Sequence, residues 1–164
     1  MTEHRFPIMV GDEITVDVLG SSDRYIDVRF KEHVGRISIF ELVWNPTDCA
    51  EFIRTKCAAG SSLEAKVIST AGELFYASVR AMHPGENPWA PENSVAVGDS
   101  VSATVTSVVA YGFFLRLENG ASAILPAETL DKAIDSDLAV GTRLCAVVSR
   151  LDEGKETVIV RLEN

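Results

Sequence analysis

The sequence predicts an all-β protein of two tandem five-stranded antiparallel barrels, each with a short helix between its third and fourth strands. Residues 97–125 alternate between apolar and polar side chains and are interrupted at Gly112 and at Asn119-Gly120, a pattern typical of a three-stranded meander. Residues from Val10 onward repeat this layout more loosely, and each repeat must bury its own apolar face. Five short strands are enough to close such a unit into a barrel without free edges.

The C-terminal copy begins with a Val-Gly-Asp turn at residues 97–99. Every second residue of its first strand is apolar, namely Val101, Ala103 and Val105. The second strand follows at residues 113–117 and the third at residues 123–125, after the Asn-Gly turn. Gly141 opens a fourth strand, and the run VIVRL at residues 158–162 supplies the fifth.

The N-terminal copy has the same order of elements. A Val-Gly-Asp turn at residues 10–12 precedes the first strand, and residues 25–30 and 35–39 form the next two. Pro46, Thr47 or Asp48 opens a short helix, and the last two strands start at Gly60 and Leu74. The inward positions of the fourth strands match one for one between the copies: Leu63, Ala65 and Val67 in the first, Leu144, Ala146 and Val148 in the second.

A segment rich in proline and glycine separates the copies. Its prolines make it semi-rigid, and we expect its one large aromatic residue, Trp89, to pack against a barrel. The expected organisation is an N-terminal repeat over residues 8–82, a linker over residues 83–95 and a C-terminal repeat over residues 96–164.

The composition of the chain restricts which functions are expected. The chain of 164 residues carries a net charge of −9, which is the wrong sign for gripping nucleic acid by bulk charge. Cys49, Cys57 and Cys145 have no metal-binding spacing and are expected to be reduced thiols, with Cys145 buried on a strand. No leader pattern or membrane-spanning apolar run is present in the sequence, so we expect a soluble cytoplasmic protein with no membrane partner.

Nothing in the sequence favours catalysis. His4, His33 and His83 are scattered, and no nucleophile elbow or phosphate-binding glycine loop occurs. The acidic residues Asp131, Asp135 and Asp137 lack the spacing and the closing glutamate of a calcium loop. We therefore expect a protein that is not an enzyme, with no catalytic residues, no metal site and no cofactor.

The residues of the C-terminal copy resemble a known family. The runs VGDSVSATVTSVVAYGFFLRL, NGASAILPAETL, VGTRLCAVVSRLD and VIVRL are similar to the S1 motif, the RNA-binding repeat of the large ribosomal protein S1, which has the OB-fold. The N-terminal runs VGDEITVDV, YIDV, GRISIFEL, GSSLEAKVI and ASVR resemble it more distantly. Asn87-Pro88-Trp89 resembles the short motif that often follows such a repeat.

The resemblance implies a binding face on strands two and three, where aromatic rings stack on bases of single-stranded RNA. In the second repeat it places the stacking rings at Tyr111 and Phe114, with Arg116 on the same outward face. Strand alternation allows only one of Phe113 and Phe114 to face the core, and the family pattern sends Phe114 outward. Asp152 matches the acidic residue after the fourth strand, and Lys155 is the nearest basic companion.

The departures from the family predict weak binding. Pro126 and Ser38 stand where the family commonly has histidine, and of the first repeat's aromatic pair only Tyr25 remains, near Arg29. Neither half of the chain is basic, and phosphate contacts usually supply much of the affinity. We therefore expect weak, salt-sensitive binding centred on the second repeat, with a weaker contribution from Tyr25 and Arg29.

Two functional hypotheses remain open. The first is a non-catalytic RNA-binding protein of translation or RNA metabolism. The second is an acidic adapter that docks on the ribosome or on another protein with a basic surface; here Trp44, in the long connection of residues 40–59, is either a partner-docking anchor or a packing residue. A combination, in which repeat one docks and repeat two touches RNA, agrees with both sets of observations.

Overall fold

The computed structural model describes residues 8–129 and 138–163, and these form strands, short helical turns and one α-helix. The chain divides into two compact units, Met1–Pro84 and Gly85–Asn164. Each unit contains one closed five-stranded barrel. The prediction of an all-β chain with two tandem OB-fold barrels is confirmed.

The first barrel closes in the order β1-β2-β3-β5-β4. Its elements are β1 (Glu13–Ser21), β2 (Tyr25–Phe30), β3 (His33–Ser38), helix α1 (Cys49–Lys56), β4 (Ser62–Ala71) and β5 (Leu74–Ser78). The antiparallel pattern that we predicted holds except where β3 meets β5, which pair in parallel. Parallel neighbours need a long connection, and here α1 and β4 provide it.

The second barrel repeats this topology. Its strands are β6 (Ser100–Val109), β7 (Gly112–Leu117), β8 (Ser122–Pro126), β9 (Arg143–Asp152) and β10 (Thr157–Leu162). They close in the order β10-β8-β7-β6-β9, again with one parallel pair, β8 with β10. A 3-10 turn, Ala127–Thr129, follows β8. The short helix predicted between β8 and β9 belongs to a connection whose residues 130–137 lie outside the described residues.

Each barrel encloses its own core of alternating apolar side chains. In the first barrel the ring of Phe75 is fully buried and lies against Gly35, where any Cβ would collide with it. In the second barrel Leu115, Leu125 and Val160 are at most 1% exposed. Because successive side chains of a strand point to opposite faces, this core fixes which residues of each strand reach the outer surface.

The cysteines differ from expectation at one position. Cys145 is exposed, and the prediction of its burial is wrong because it lies between Leu144 and Ala146 on β9, whose side chains take the core face. Cys57 is buried, and burial together with the neighbouring Cys49 raises the pKa of its thiol to about 11. All three thiols are free.

The segment before the second barrel packs on it. Trp89 is half-buried against the second core, and the Nδ2 of Asn119 donates to the carbonyl of Asn93 at 3.0 Å. Residues from Gly85 onward thus fall in the second compact unit. In the part of the chain that the structure describes, no helix is both long and apolar enough to cross a membrane.

Candidate nucleic-acid interface

Strand β7 separates its side chains cleanly into two faces. Phe113, Leu115 and Leu117 are buried in the core, whereas Phe114 and Arg116 are half-buried on the outer surface. The barrel interior accepts the first set, so the second set must face away from it. One phenylalanine of the adjacent pair therefore contributes to folding and leaves the other for the surface.

The turn before β7 places a second ring beside Phe114. Tyr111 is 62% exposed, and its ring centroid lies 6.1 Å from that of Phe114 at an interplanar angle of 89°. This is the edge-to-face arrangement that aromatic rings favour. Gly112 makes the close turn possible, because a Cβ at this position would collide with the Leu125 carbonyl oxygen. Its φ of +155° also lies in a region of backbone conformation that residues other than glycine rarely adopt.

An apolar row extends from Phe114 across the neighbouring strands. Phe114 is in register with Ile124 on β8, and Ile124 is in register with Ile159 on β10. Both isoleucines are half-buried and lie between buried neighbours, so they face outward. Sequence reasoning missed both residues because alternation gives the face of a side chain but not the register between strands. The parallel β8–β10 pairing is the signal that brings them together.

A polar row runs beside the apolar one. Arg116 pairs in register with Ser122 on β8, Ser122 with Thr157 on β10, and Thr157 with Asp152 on β9. The structure therefore places Arg116 and Asp152 in one row, three strands apart. Asp152 also shapes the β9–β10 turn, since its Oδ1 accepts the backbone N–H of Lys155 at 3.2 Å. The side chain of Lys155 is exposed in this turn.

The corresponding surface of the first barrel is built differently. Asp27 pairs with Gly20, the first paired residue after the bulge in β1, and with Arg36 on β3. Phe114 has the equivalent position in the second barrel, because it pairs with Ser107, the first paired residue after the bulge in β6, and with Ile124 on β8. An ion pair of 3.3 Å joins Asp27 to Arg36. The Arg36 guanidinium carbon lies 5.3 Å from the centroid of the Tyr25 ring, so the guanidinium covers part of that ring.

Arg29 of the first barrel is exposed. It lies between Asp17 and Val34 across the sheet, as Arg116 lies between Thr104 and Ser122. By this register Arg29 takes the place of Arg116. The place of Phe114 is taken by an acidic residue, not by Tyr25.

Trp44 belongs to a network inside the first unit. Its indole N–H donates to the His83 carbonyl at 2.9 Å, and the Arg80 guanidinium carbon lies 4.4 Å from its ring centroid. Arg80 in turn pairs with Glu41 at 3.4 Å. Trp44 therefore packs within its own unit, and a docking role for it stays a prediction.

The described residues hold no cluster of three or more His, Cys, Asp or Glu side chains that could bind a metal ion. His4 and the acidic residues Asp131, Asp135 and Asp137 lie outside the described residues.

Comparison with known proteins shows which family the second barrel is similar to. Residues 94–163 match the family model of the S1 RNA binding domain. Over 98% of its length, the chain is 24% identical to the small ribosomal subunit protein bS1 of Chlamydia trachomatis and 25% identical to that of Chlamydia muridarum. The chain spans only 29% of the length of these relatives.

Two solved structures also match this chain in part. A chain in the a/eIF2alpha–aDim2p–rRNA complex from Pyrococcus horikoshii is 28% identical over 43% of this chain and 45% of its own, with a TM-score of 0.39. A multidomain protein with nucleic acid binding domains from Streptococcus pneumoniae is 14% identical over 96% of this chain and 54% of its own, also with a TM-score of 0.39.

Proposed function

We propose that the chain is a non-catalytic protein that binds single-stranded RNA in translation or RNA metabolism, because residues 94–163 match the family model of the S1 RNA binding domain. The second barrel makes the main contact. Bases stack on Tyr111 and Phe114, the strand continues over the apolar row of Ile124 and Ile159, and Arg116 and Lys155 meet phosphates. The relatives named as ribosomal proteins support a role in translation.

The observation that carries this proposal is the exposed ring pair on an S1 domain. An exposed tyrosine in edge-to-face contact with a half-exposed phenylalanine leaves ring faces free for bases, and each stacked base contributes about 1–3 kcal/mol. Stacking tolerates any base, because every base has a π-face. The proposed binding is therefore selective for single strands and not for sequence.

Charge limits the affinity. Residues 85–164 contain six Lys and Arg against twelve Asp and Glu. Few phosphates can be neutralised by such a surface, so the binding is weak, and the contacts that do form are screened by salt. We expect measurable binding at low salt and a steep loss toward physiological ionic strength.

Fluorescence anisotropy of the full chain with short labelled single-stranded RNA, at low and at physiological salt, tests the proposal. Replacing Tyr111 and Phe114 together by Ala removes two stacking rings and is expected to weaken binding by about 30-fold or more. Val97→Ala is the matched control, because Val97 is 63% exposed and precedes β6, whereas Tyr111 follows it. Equal affinities for the double variant and the control would refute the assignment of the site.

The acidic composition favours a second candidate, an adapter that docks on the ribosome or on another protein with a basic surface. The net charge of −9 complements a basic partner and would speed the encounter. Cosedimentation with ribosomes separates the two candidates. Ribosome binding that survives the Tyr111→Ala/Phe114→Ala change supports docking through protein, and binding that is lost with the rings supports the RNA contact.

A further inference from the structure

The first barrel exposes an aromatic ring at a position that the second barrel does not use. Phe40 is 75% exposed, the highest value for a large apolar side chain among the described residues. It lies in the 3-10 turn Ile39–Glu41 that follows β3, and its backbone N–H is held by the Ser38 hydroxyl at 3.2 Å. The neighbouring Ile39 packs on the core. The turn is thus anchored on one side and directs Phe40 outward.

The turn that carries Phe40 lies beside the start of β2. The Ile39 N–H donates to the Arg24 carbonyl at 3.0 Å, just as the Ala127 N–H donates to the Tyr111 carbonyl at 2.9 Å in the second barrel. Arg24 therefore stands where the second barrel has its exposed tyrosine. By the same register, Phe40 stands where the second barrel has Glu128. Each barrel thus has one ring and one charged residue at these two positions, in opposite order, and the charged residue is an arginine in the first barrel and a glutamate in the second.

The hairpin around this ring is basic although the chain is acidic. Residues 24–40 contain four Lys and Arg against two Asp and Glu, whereas residues 111–128 of the second barrel contain one arginine against two glutamates. Local cations, not net charge, meet phosphates at a contact site. The β2–β3 hairpin is therefore better supplied for phosphate contacts than its counterpart.

Three arginines of this hairpin are exposed. Arg24 precedes β2, Arg29 is exposed near its end, and Arg36 is exposed on β3 between the buried Gly35 and Ile37. Arg36 is fixed over the Tyr25 ring and by its ion pair with Asp27. A guanidinium held against a ring presents its second face to a base or its edge to a phosphate.

We propose that the first barrel carries a second contact for single-stranded RNA, in which a base stacks on Phe40 and Arg24, Arg36 and Arg29 follow the phosphates. This rests on the proposed function of the chain as an RNA-binding protein. Arg29 takes the place of Arg116, but the stacking ring lies at a different position from those of the second barrel, since Asp27 occupies the position of Phe114.

The test uses the full chain and labelled single-stranded RNA long enough to reach both barrels. Phe40→Ala is expected to weaken binding about fivefold or more, the equivalent of one lost stack. Arg24→Ala is expected to reduce the slope of log affinity against log salt by about 0.7, the equivalent of one lost phosphate contact. Val10→Ala, at 64% exposure in the same barrel, and Lys56→Ala, at the end of α1, are the controls for apolar area and charge.

The outcomes separate this proposal from the preceding one. Weaker binding by Phe40→Ala and Arg24→Ala, with unchanged controls, supports the second contact whether or not Tyr111 and Phe114 matter. Loss of binding only in the Tyr111→Ala/Phe114→Ala variant keeps the proposed function and refutes the second contact. Unchanged backbone amide signals of residues 24–40 at RNA saturation would also refute it, and would leave Phe40 to a protein ligand.

Discussion

The turn at Gly112 offers a sharp test of how the fold builds the interface. An alanine Cβ there would collide with the Leu125 carbonyl oxygen and would lie 3.1 Å from the Pro126 Cα. The obstacle is backbone on both sides, so no side chain can move aside to relieve it. The β7–β8 pairing that ends at Gly112 and Pro126 would have to open. We therefore expect Gly112→Ala to destabilise the second barrel and to displace Tyr111.

Gly120 provides a control for the size of this destabilisation. It also has a positive φ, +92°, but a Cβ there would meet no atom within 4 Å. Gly120→Ala should therefore cost only the backbone strain of about 1–2 kcal/mol. Gly112→Ala should cost a comparable backbone strain and, in addition, an overpacking energy of about 1–3 kcal/mol. The difference between the variants, about 1–3 kcal/mol, measures the collision alone.

Urea denaturation followed by tryptophan fluorescence measures this difference. In a Trp44→Phe background only Trp89 remains, and it packs on the core of the second barrel. With a denaturant slope near 1 kcal/mol/M for a unit of this size, the midpoint of Gly112→Ala should lie about 1–3 M below that of Gly120→Ala. Equal midpoints would show that β8 yields to the added methyl, and would refute the account of why glycine is needed in the turn.

Four further predictions concern residues within each of the two units. Trp44→Phe keeps a ring in place but loses the hydrogen bond to the His83 carbonyl. Urea denaturation should therefore show that the free energy of unfolding of the first unit falls by about 1 kcal/mol. An unchanged free energy of unfolding would contradict the packing role of Trp44. Iodoacetamide at pH 8 should alkylate the exposed Cys145 first and Cys57 last, as peptide mass spectrometry would detect. Burial raises the pKa of Cys57 from 9.0 to about 11. The neutral thiol therefore stabilises the fold below about pH 9, and this contribution to the free energy of unfolding is lost as the pH rises through about 11. If the free energy of unfolding of Cys57→Ala depended on pH in the same way, this reasoning would be wrong. Asn119→Ala should loosen the segment before β6, seen as faster amide exchange of residues 85–95, and unchanged exchange would show that the segment does not depend on this side chain.

Much of the fold could be predicted because alternation is a local signal. The core faces of the strands follow from period-two patterns, and the repeated glycine turns place the strand starts. The same rule accounts for the exposure of Cys145, because its neighbours Leu144 and Ala146 take the core face. The parallel closing pairs escaped prediction because they join strands that are distant in the sequence.

The proposed interface could be predicted only in part, because it too depends on pairing between strands that are distant in the sequence. Tyr111, Phe114 and Arg116 lie on one strand and its preceding turn, so their common face can be read locally. Ile124 and Ile159 join them through register, which the sequence does not encode in any one stretch. In the first barrel the bulge decides that Asp27, and not Tyr25, corresponds to Phe114. A shift of one residue changes which side chain reaches the outer surface.

The most direct measurement of the central claim is an NMR titration of the full chain with short single-stranded RNA at low salt. The claim predicts amide shifts on β7 and β8 of the second barrel, around Tyr111, Phe114 and Ile124, that fade as salt is added. Shifts that avoid this face, or none at saturating RNA, would contradict it and would place the function of the second barrel in binding another protein.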